Sequence, residues 1–496
     1  MQNRKKRGRL DDALSRPGSV RQRTRGGLLL DALLLDDDDE AQPASTTSTH
    51  SSATVARFMR PILSRDRVYI ASRFMPRAFA RRSLADAVAR LEPAMKVLLP
   101  PACGEPVALV AEICRQSSRL TDLTLLGGIH LGDYPWARPE HAALRFATWH
   151  MSPRLEEARR RGRVEFVPIR YFDLVTEFVA GGVWAPDCVL VHCAPPDARG
   201  YLSLGVSVSV ALPAARRAPL VIAQVNPSMP RTLGNACLHA SQIDYWVEVD
   251  EPLTPYPPTP IGDVERAIGC HVATLVPDGA TVQVGVGAIP QAVLEALGDH
   301  RDLSLHSLLV DASVALVERG VVTSARKRVH RGRMDVGEAM GTRRLFDFVH
   351  ENPMVNMEPS SFTHDPETVA QLDRFVAINS ALEIDLTGQV TAESLGPRQV
   401  AGIGGQFDFV LGASRSRGGA AIIALPSTGR DGAVSRIVPS LQASAAVTSP
   451  RALADWVVTE HGAAALRGKG ERGRAEALIA VAHPRFREEL LQRAIF

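Results

Sequence analysis

The chain has 496 residues, 45% hydrophobic and 22% charged, with a formal net charge of +3. That length accommodates two or three domains with separate cores, and the composition is ordinary for a globular enzyme. The small net charge gives no argument for a nucleic-acid partner, and no apolar stretch approaches the roughly 18–20 residues that span a membrane. Six cysteines without CxxC spacing read as reduced thiols of a cytoplasmic protein.

Residues 1–74 do not read as a folded domain. A basic run, Arg4-Lys5-Lys6-Arg7-Gly8-Arg9, is followed by the acidic Asp36-Asp37-Asp38-Asp39-Glu40 and a small, polar stretch. The expectation is a disordered extension or a start placed too far upstream. From Ser83 the pattern turns regular. Ser83 to Leu91 spaces its apolar residues as an amphipathic helix, and Lys96-Val97-Leu98-Leu99-Pro100 is a short buried strand. Leu123 to Leu126, Cys188 to His192 and Leu220 to Gln224 repeat that strand pattern between helical stretches. Short apolar runs bounded by Gly and Pro and alternating with helices predict an α/β fold with mainly parallel sheets. Five prolines between Glu251 and Pro260 predict an extended linker, since proline removes a backbone donor and fixes φ. It separates a domain at 75–250 from another at 261–496.

Two glycine segments stand out in the second half. Gln283-Val284-Gly285-Val286-Gly287-Ala288-Ile289-Pro290 reads as a strand, a glycine turn and a helix. By itself this is a tight βα turn or part of a dinucleotide site, but the third glycine of a dinucleotide fingerprint is missing. Ala401-Gly402-Ile403-Gly404-Gly405 places three glycines in four positions, which suggests main-chain N–H groups turned towards a ligand. Pro195 to Gly205, Asn226-Pro227-Ser228-Met229-Pro230, Glu351-Asn352-Pro353-Met354, Asn379 to Val390 and Val458-Thr459-Glu460-His461-Gly462 complete the set.

These segments, in this order from about residue 84 to the end, resemble the acetyl-CoA hydrolase/transferase family, which includes 4-hydroxybutyrate CoA-transferase-like enzymes of the class I CoA-transferase fold. The resemblance implies two similar α/β domains facing each other across a CoA groove, and a homodimer. It implies CoA contact at Gly285, Val286, Gly287, Ala288 and Ile289, and again at Ala401, Gly404 and Gly405. Gly405 would also serve the oxyanion. Arg430, in Pro426-Ser427-Thr428-Gly429-Arg430, would approach a CoA phosphate, although a solvated arginine reads equally well. The partners implied are an acyl-CoA and a small carboxylate; no metal or redox cofactor is.

One departure bears on activity. The family's His-Ser pair is followed by the glutamate that carries first the acyl group and then CoA, but here His306-Ser307 is followed by Leu308. The next anchor, Leu316-Val317-Glu318-Arg319-Gly320, aligns only if one residue is skipped, so the glutamate reads as deleted. Leucine offers no lone pair for attack on a thioester. The nearest replacements are Asp311 as nucleophile and His306 as base towards water, with Glu105 and Glu393 as carboxylates that folding could bring in. The expected activity is CoA transfer between an acyl-CoA and a small acid; the alternatives are an acyl-CoA hydrolase and a CoA-ester-binding protein without catalysis.

Overall fold

A computed structural model describes residues 79–494, apart from Ala180 and Asp431. The expectations for residues 1–74 lie outside the described residues.

Two eight-stranded sheets form the frame. The first contains β1 (Ala80–Arg81), β2 (Lys96–Leu98), β3 (Thr124–Gly127), β4 (Arg145–Thr148), β5 (Val164–Phe166), β6 (Cys188–Cys193), β7 (Leu220–Val225) and β8 (Tyr245–Glu248). Their order is β1-β8-β7-β6-β2-β3-β4-β5, and every neighbouring pair is parallel. All six residues of β6 are buried. That is why it reads as an unbroken apolar run: a central parallel strand is covered on both faces.

The second sheet contains β9 (Thr281–Gln283), β10 (Ser304–Leu309), β11 (Met334–Ala339), β12 (Val355–Met357), β13 (Phe375–Ser380), β14 (Ala420–Ala424), β15 (Trp456–Thr459) and β16 (Gly462–Ala465). The order β12-β11-β10-β9-β13-β14-β15-β16 is parallel up to the final antiparallel hairpin. The fold is therefore α/β with two similar, mainly parallel sheets. Their strands fall on either side of residues 251–260, yet one apolar cluster joins Leu98 and Val191 of the first sheet to Val282, Leu305 and Val336 of the second. No helix among the described residues is long and apolar enough to cross a membrane.

The proline-rich segment forms neither helix nor strand. It is nonetheless anchored to the second half, since Tyr256 N–H donates to Gly341 O at 2.8 Å and Thr259 N–H to Gln291 Oε1 at 2.9 Å.

The ladder between β10 and β11 is irregular. Ser307 pairs with Val336 and Leu308 with Glu338, so Gly337 is passed over and the ladder carries a bulge between Ser307 and Leu308. Ser307 takes a positive φ of 75° at that point. Two residues of β11 thus stand against one step of β10, as in a bulge. The carbonyl of Gly337 is met by N–H groups of the first half, Val208 at 3.0 Å and Ser209 at 3.3 Å.

Candidate active site

Parallel sheets place their ligands beyond the carboxyl ends of the strands. At that end of β10 and β11 one residue in each strand is not fully buried: Leu308 and Glu338, which are cross-strand partners. The Glu338 carboxyl accepts a hydrogen bond from Ser209 Oγ, and the Tyr171 hydroxyl lies 3.2 Å from Ser209 Oγ. Ser207 is bridged to Glu338 through the backbone, and its side chain lies close enough to favour the carboxylate. Gly104 makes room for that segment, since a Cβ there would come within 2.3 Å of Ser207 Cβ. Burial dominates the electrostatics and pushes the Glu338 carboxyl up to about 8, against the opposing pull of Ser209 and Ser207.

Glu338 lies between the two glycine segments. On one side, Ser209 leads to Tyr171, whose N–H donates to Gly404 O at 3.2 Å and whose ring stacks on His364 with centroids 4.4 Å apart. His364 in turn lies against Gly405, where a Cβ would approach its ring to 2.5 Å. Gly404 has a φ of 56° and open space where a side chain would project. Among the described residues, the N–H groups of Gly404 and Gly405 donate to no protein acceptor. Gly405 caps the helix Gln406–Arg415, so its surroundings favour negative charge.

On the other side is Cys103, near enough to Glu338 and Asp311 to feel both charges and hydrogen-bonded to the backbone at Gly341 and Tyr256. Burial pushes its thiol up to about 12. Tyr256 lines a groove with Gly285, Val286, Gly287, Val310 and Asp311. Gly287 turns with a φ of 111° to start the helix Ala288–Ala296, and a Cβ on Gly285 or Gly287 would meet nothing within 4 Å. At these two glycines it is the backbone that borders the groove. Ile289 points its side chain into the core, where it is 8% exposed, and Ala288 opens the helix. A neighbouring groove continues past Asp311 to Arg319 and Arg344.

The replacement residues considered from sequence are held by other partners. His306 is fully buried; its Nε2–H donates to Thr363 O at 2.7 Å, and its Nδ1 has no partner. Burial first, and the charge of Lys327 second, press its pKa down to about 4, so the ring stays neutral. Asp311 starts the helix Asp311–Glu318, and its two oxygens accept from Thr342 N–H and Thr342 Oγ1, each at 3.0 Å. Asp311→Ala removes both acceptors from a part-buried Thr342. It is expected to lower unfolding stability by about 1–3 kcal/mol, read as a shifted denaturation midpoint. Glu105 is buried with an oxygen 3.2 Å from His130 Nδ1, and Glu393 accepts from Gln399 and Thr448. Ala401 directs its carbonyl to Met151 N–H and Gln399 Nε2. Arg430 is exposed on the Thr428–Ser435 hairpin, with no hydrogen bond or ion pair from its side chain among the described residues.

The sequence reading missed Glu338, and with it Tyr171, Ser207, Ser209 and His364. The signal present was a charged residue in a strand otherwise buried along its length, a pattern that costs free energy unless the group is used or paired.

Comparison with known proteins identifies the family. Residues 76–258 match the acetyl-CoA hydrolase/transferase N-terminal domain and residues 341–494 its C-terminal domain. The 4-hydroxybutyrate coenzyme A transferase of Clostridium kluyveri is 42% identical over 407 residues, covering 82% of this chain and 95% of the relative. The succinyl-CoA:cyclohexane-1-carboxylate CoA transferase of Geobacter metallireducens is 39% identical, with 80% and 90% covered. The crystal structure of RipA from Yersinia pestis superposes with a TM-score of 0.79 at 34% identity, covering 84% of this chain and 97% of that one. The glycine turn at 285–287, strand β10 and Glu338 all lie between the two matched domains. With both of its domains matched and a relative this similar along nearly its whole length, the chain belongs to the acetyl-CoA hydrolase/transferase family.

Proposed function

We propose that the protein is a CoA-transferase that moves CoA between an acyl-CoA and a small carboxylic acid. The observation that carries this reading is the pair of glycine segments flanking one recessed carboxyl group, with free N–H donors at Gly404 and Gly405. Acyl transfer from a thioester needs an oxyanion site of main-chain donors and a groove for the long pantetheine arm. Gly405 supplies the first, at a helix N-terminus. The backbone at Gly285, Val286 and Gly287 supplies the start of the second, and the groove running on to Arg319 and Arg344 gives CoA phosphates cations to meet. Arg430 belongs to this reading only through family resemblance, as do a homodimer and a cytoplasmic location. The matched relatives are named for quite different acids, so family membership leaves the acceptor acid open.

The test is to incubate the purified full chain with acetyl-, propionyl- or butyryl-CoA, with and without a second carboxylate, and follow all CoA species by mass spectrometry. The expected result is a new acyl-CoA matching the added acid, with little free CoA. Release of free CoA at the same rate with and without acid would instead assign a hydrolase. No turnover, with acyl-CoA still raising the melting temperature, would leave a CoA-ester-binding protein.

A further inference from the structure

We propose that Glu338, on β11, is the nucleophile of this site, taking the place of a carboxylate that the shortened strand β10 no longer carries. The proposal deepens the transferase reading and rests on it. Three observations support it. Leu308, which follows Ser307 directly, is the cross-strand partner of Glu338, so the carboxylate stands one strand over from the gap. Those two residues are the ones left open at the carboxyl ends of otherwise buried strands. And among the described residues hydroxyl groups alone attend the Glu338 oxygens, whereas Asp311 also accepts from a backbone N–H, Glu393 from the Gln399 amide, and Glu105 lies against the His130 ring.

The chemistry balances without any further reagent. A Glu338 carboxylate oxygen bonds to the thioester carbonyl carbon, and the carbon–sulfur bond breaks, releasing CoA thiolate and leaving a mixed anhydride. The thiolate then attacks Cδ of Glu338. The anhydride carbon–oxygen bond breaks, the first acid leaves as its carboxylate, and Glu338 holds CoA as a thioester. An incoming carboxylate reverses both steps. No net proton or electron is taken up. Ser209 Oγ and the Tyr171 hydroxyl behind it position the attacking oxygen, and Gly404 and Gly405 offer N–H groups on the same side.

The test traps the intermediate. The full chain is incubated with acetyl-CoA without acceptor, quenched in acid and digested with trypsin, which releases residues 334–343 as one peptide. The expected product carries CoA less one water on that peptide, with fragmentation placing it on Glu338 rather than Asp335. Glu338→Gln, which keeps an acceptor for Ser209, is expected to lose the adduct and at least ~10³-fold in exchange rate. Its melting temperature should match the parent's at pH ~5 and fall no lower at neutral pH, with the same shift by acetyl-CoA, which separates lost chemistry from lost folding. An adduct on Asp311 or any other residue, or exchange at the parental rate in Glu338→Gln, would overturn the assignment and leave the transferase reading standing. Absence of exchange in the parent protein with every acyl-CoA and acid pair would remove the transferase reading, and this one with it.

Discussion

Exchange of CoA between acetyl-CoA and butyrate should accelerate about tenfold per pH unit below about 8 and level off above it. The attacking species is the carboxylate, and burial holds the Glu338 carboxyl up to about 8, so at neutral pH only about a tenth of the molecules carry the charge. The groups facing Glu338 do not obscure the profile. From the first half come Ser207, Ser209, Tyr171 and Cys103. Burial, aided for each by the charge of Glu338, raises the Tyr171 phenol well above its usual value and the Cys103 thiol to about 12, so both stay protonated. From the second half come Asp311, through Cys103, and the buried rings of His364 and His306 behind the site. Burial presses those rings to about 3 and 4, so they stay neutral. Among the described residues no cation acts on the carboxyl. The measurement is the initial exchange rate at saturating acetyl-CoA from about pH 6 to 9.5, with Glu338→Gln correcting for spontaneous thioester loss. A flat profile in the parent protein would mean that Glu338 is not the group whose ionisation starts the reaction. The same shift has a stability counterpart. A carboxyl whose folded pKa lies above its unfolded value contributes stability at low pH and loses it as pH rises through about 8. Glu338→Gln should therefore melt above the parent at pH ~9 and alongside it at pH ~5.

The frame was legible because its physics is local. Runs such as Cys188 to His192 and Leu220 to Gln224 are apolar throughout since both faces of a parallel strand are covered, and the prolines of 251–260 forbid regular structure wherever they stand. The turns at Gly287 and Gly404 could be read for the same reason: positive φ selects glycine regardless of what lies around it. The absence of a carboxylate after Ser307 could also be read. The carboxylate proposed in its place could not. β11 contains two carboxylates, Asp335 and Glu338, three positions apart, and nothing in Met334 to Met340 says which one is held and which one is open. That is decided by partners far along the chain. Ser209 lies 129 residues before Glu338, and Ser207 can reach it only because Gly104, in another segment again, leaves the space. His306 shows the converse. Its neighbours in sequence advertise a site, while its burial and its bond to Thr363 make it part of the wall.

Asp335, the other carboxylate of β11, gives the largest effect expected on stability. Its side chain is 0% exposed and forms an ion pair at 2.6 Å with Lys327, which is 1% exposed. The remaining capacity of both groups is taken up. Asn356 Nδ2 donates to Asp335 Oδ1 at 2.8 Å, His330 Nδ1 lies 2.7 Å from the same oxygen, and Lys327 Nζ also donates to Arg333 O at 3.0 Å. Removing one charge strands the other in a setting where solvation cannot reach it. Lys327→Met is therefore expected to cost about 3–5 kcal/mol, read as a lowered denaturant midpoint. Lys327→Met combined with Asp335→Asn leaves no buried charge and keeps a neutral acceptor for Asn356, so the double variant should recover part of that loss. The recovery would measure how much of the cost is the unpaired charge rather than lost packing. Asp335 pairs across the ladder with His306, two places before Leu308, so the pair sits directly before the bulge beside Glu338. Lys327→Met should accordingly slow exchange in the folded protein as well, through the position of β11. Asp311→Ala, whose lost bonds brace Thr342 beyond the end of β11, should slow it less. Measured at one temperature well below both melting transitions, equal exchange rates for Lys327→Met and the parent would show that the bulge keeps its shape without the charged pair under it.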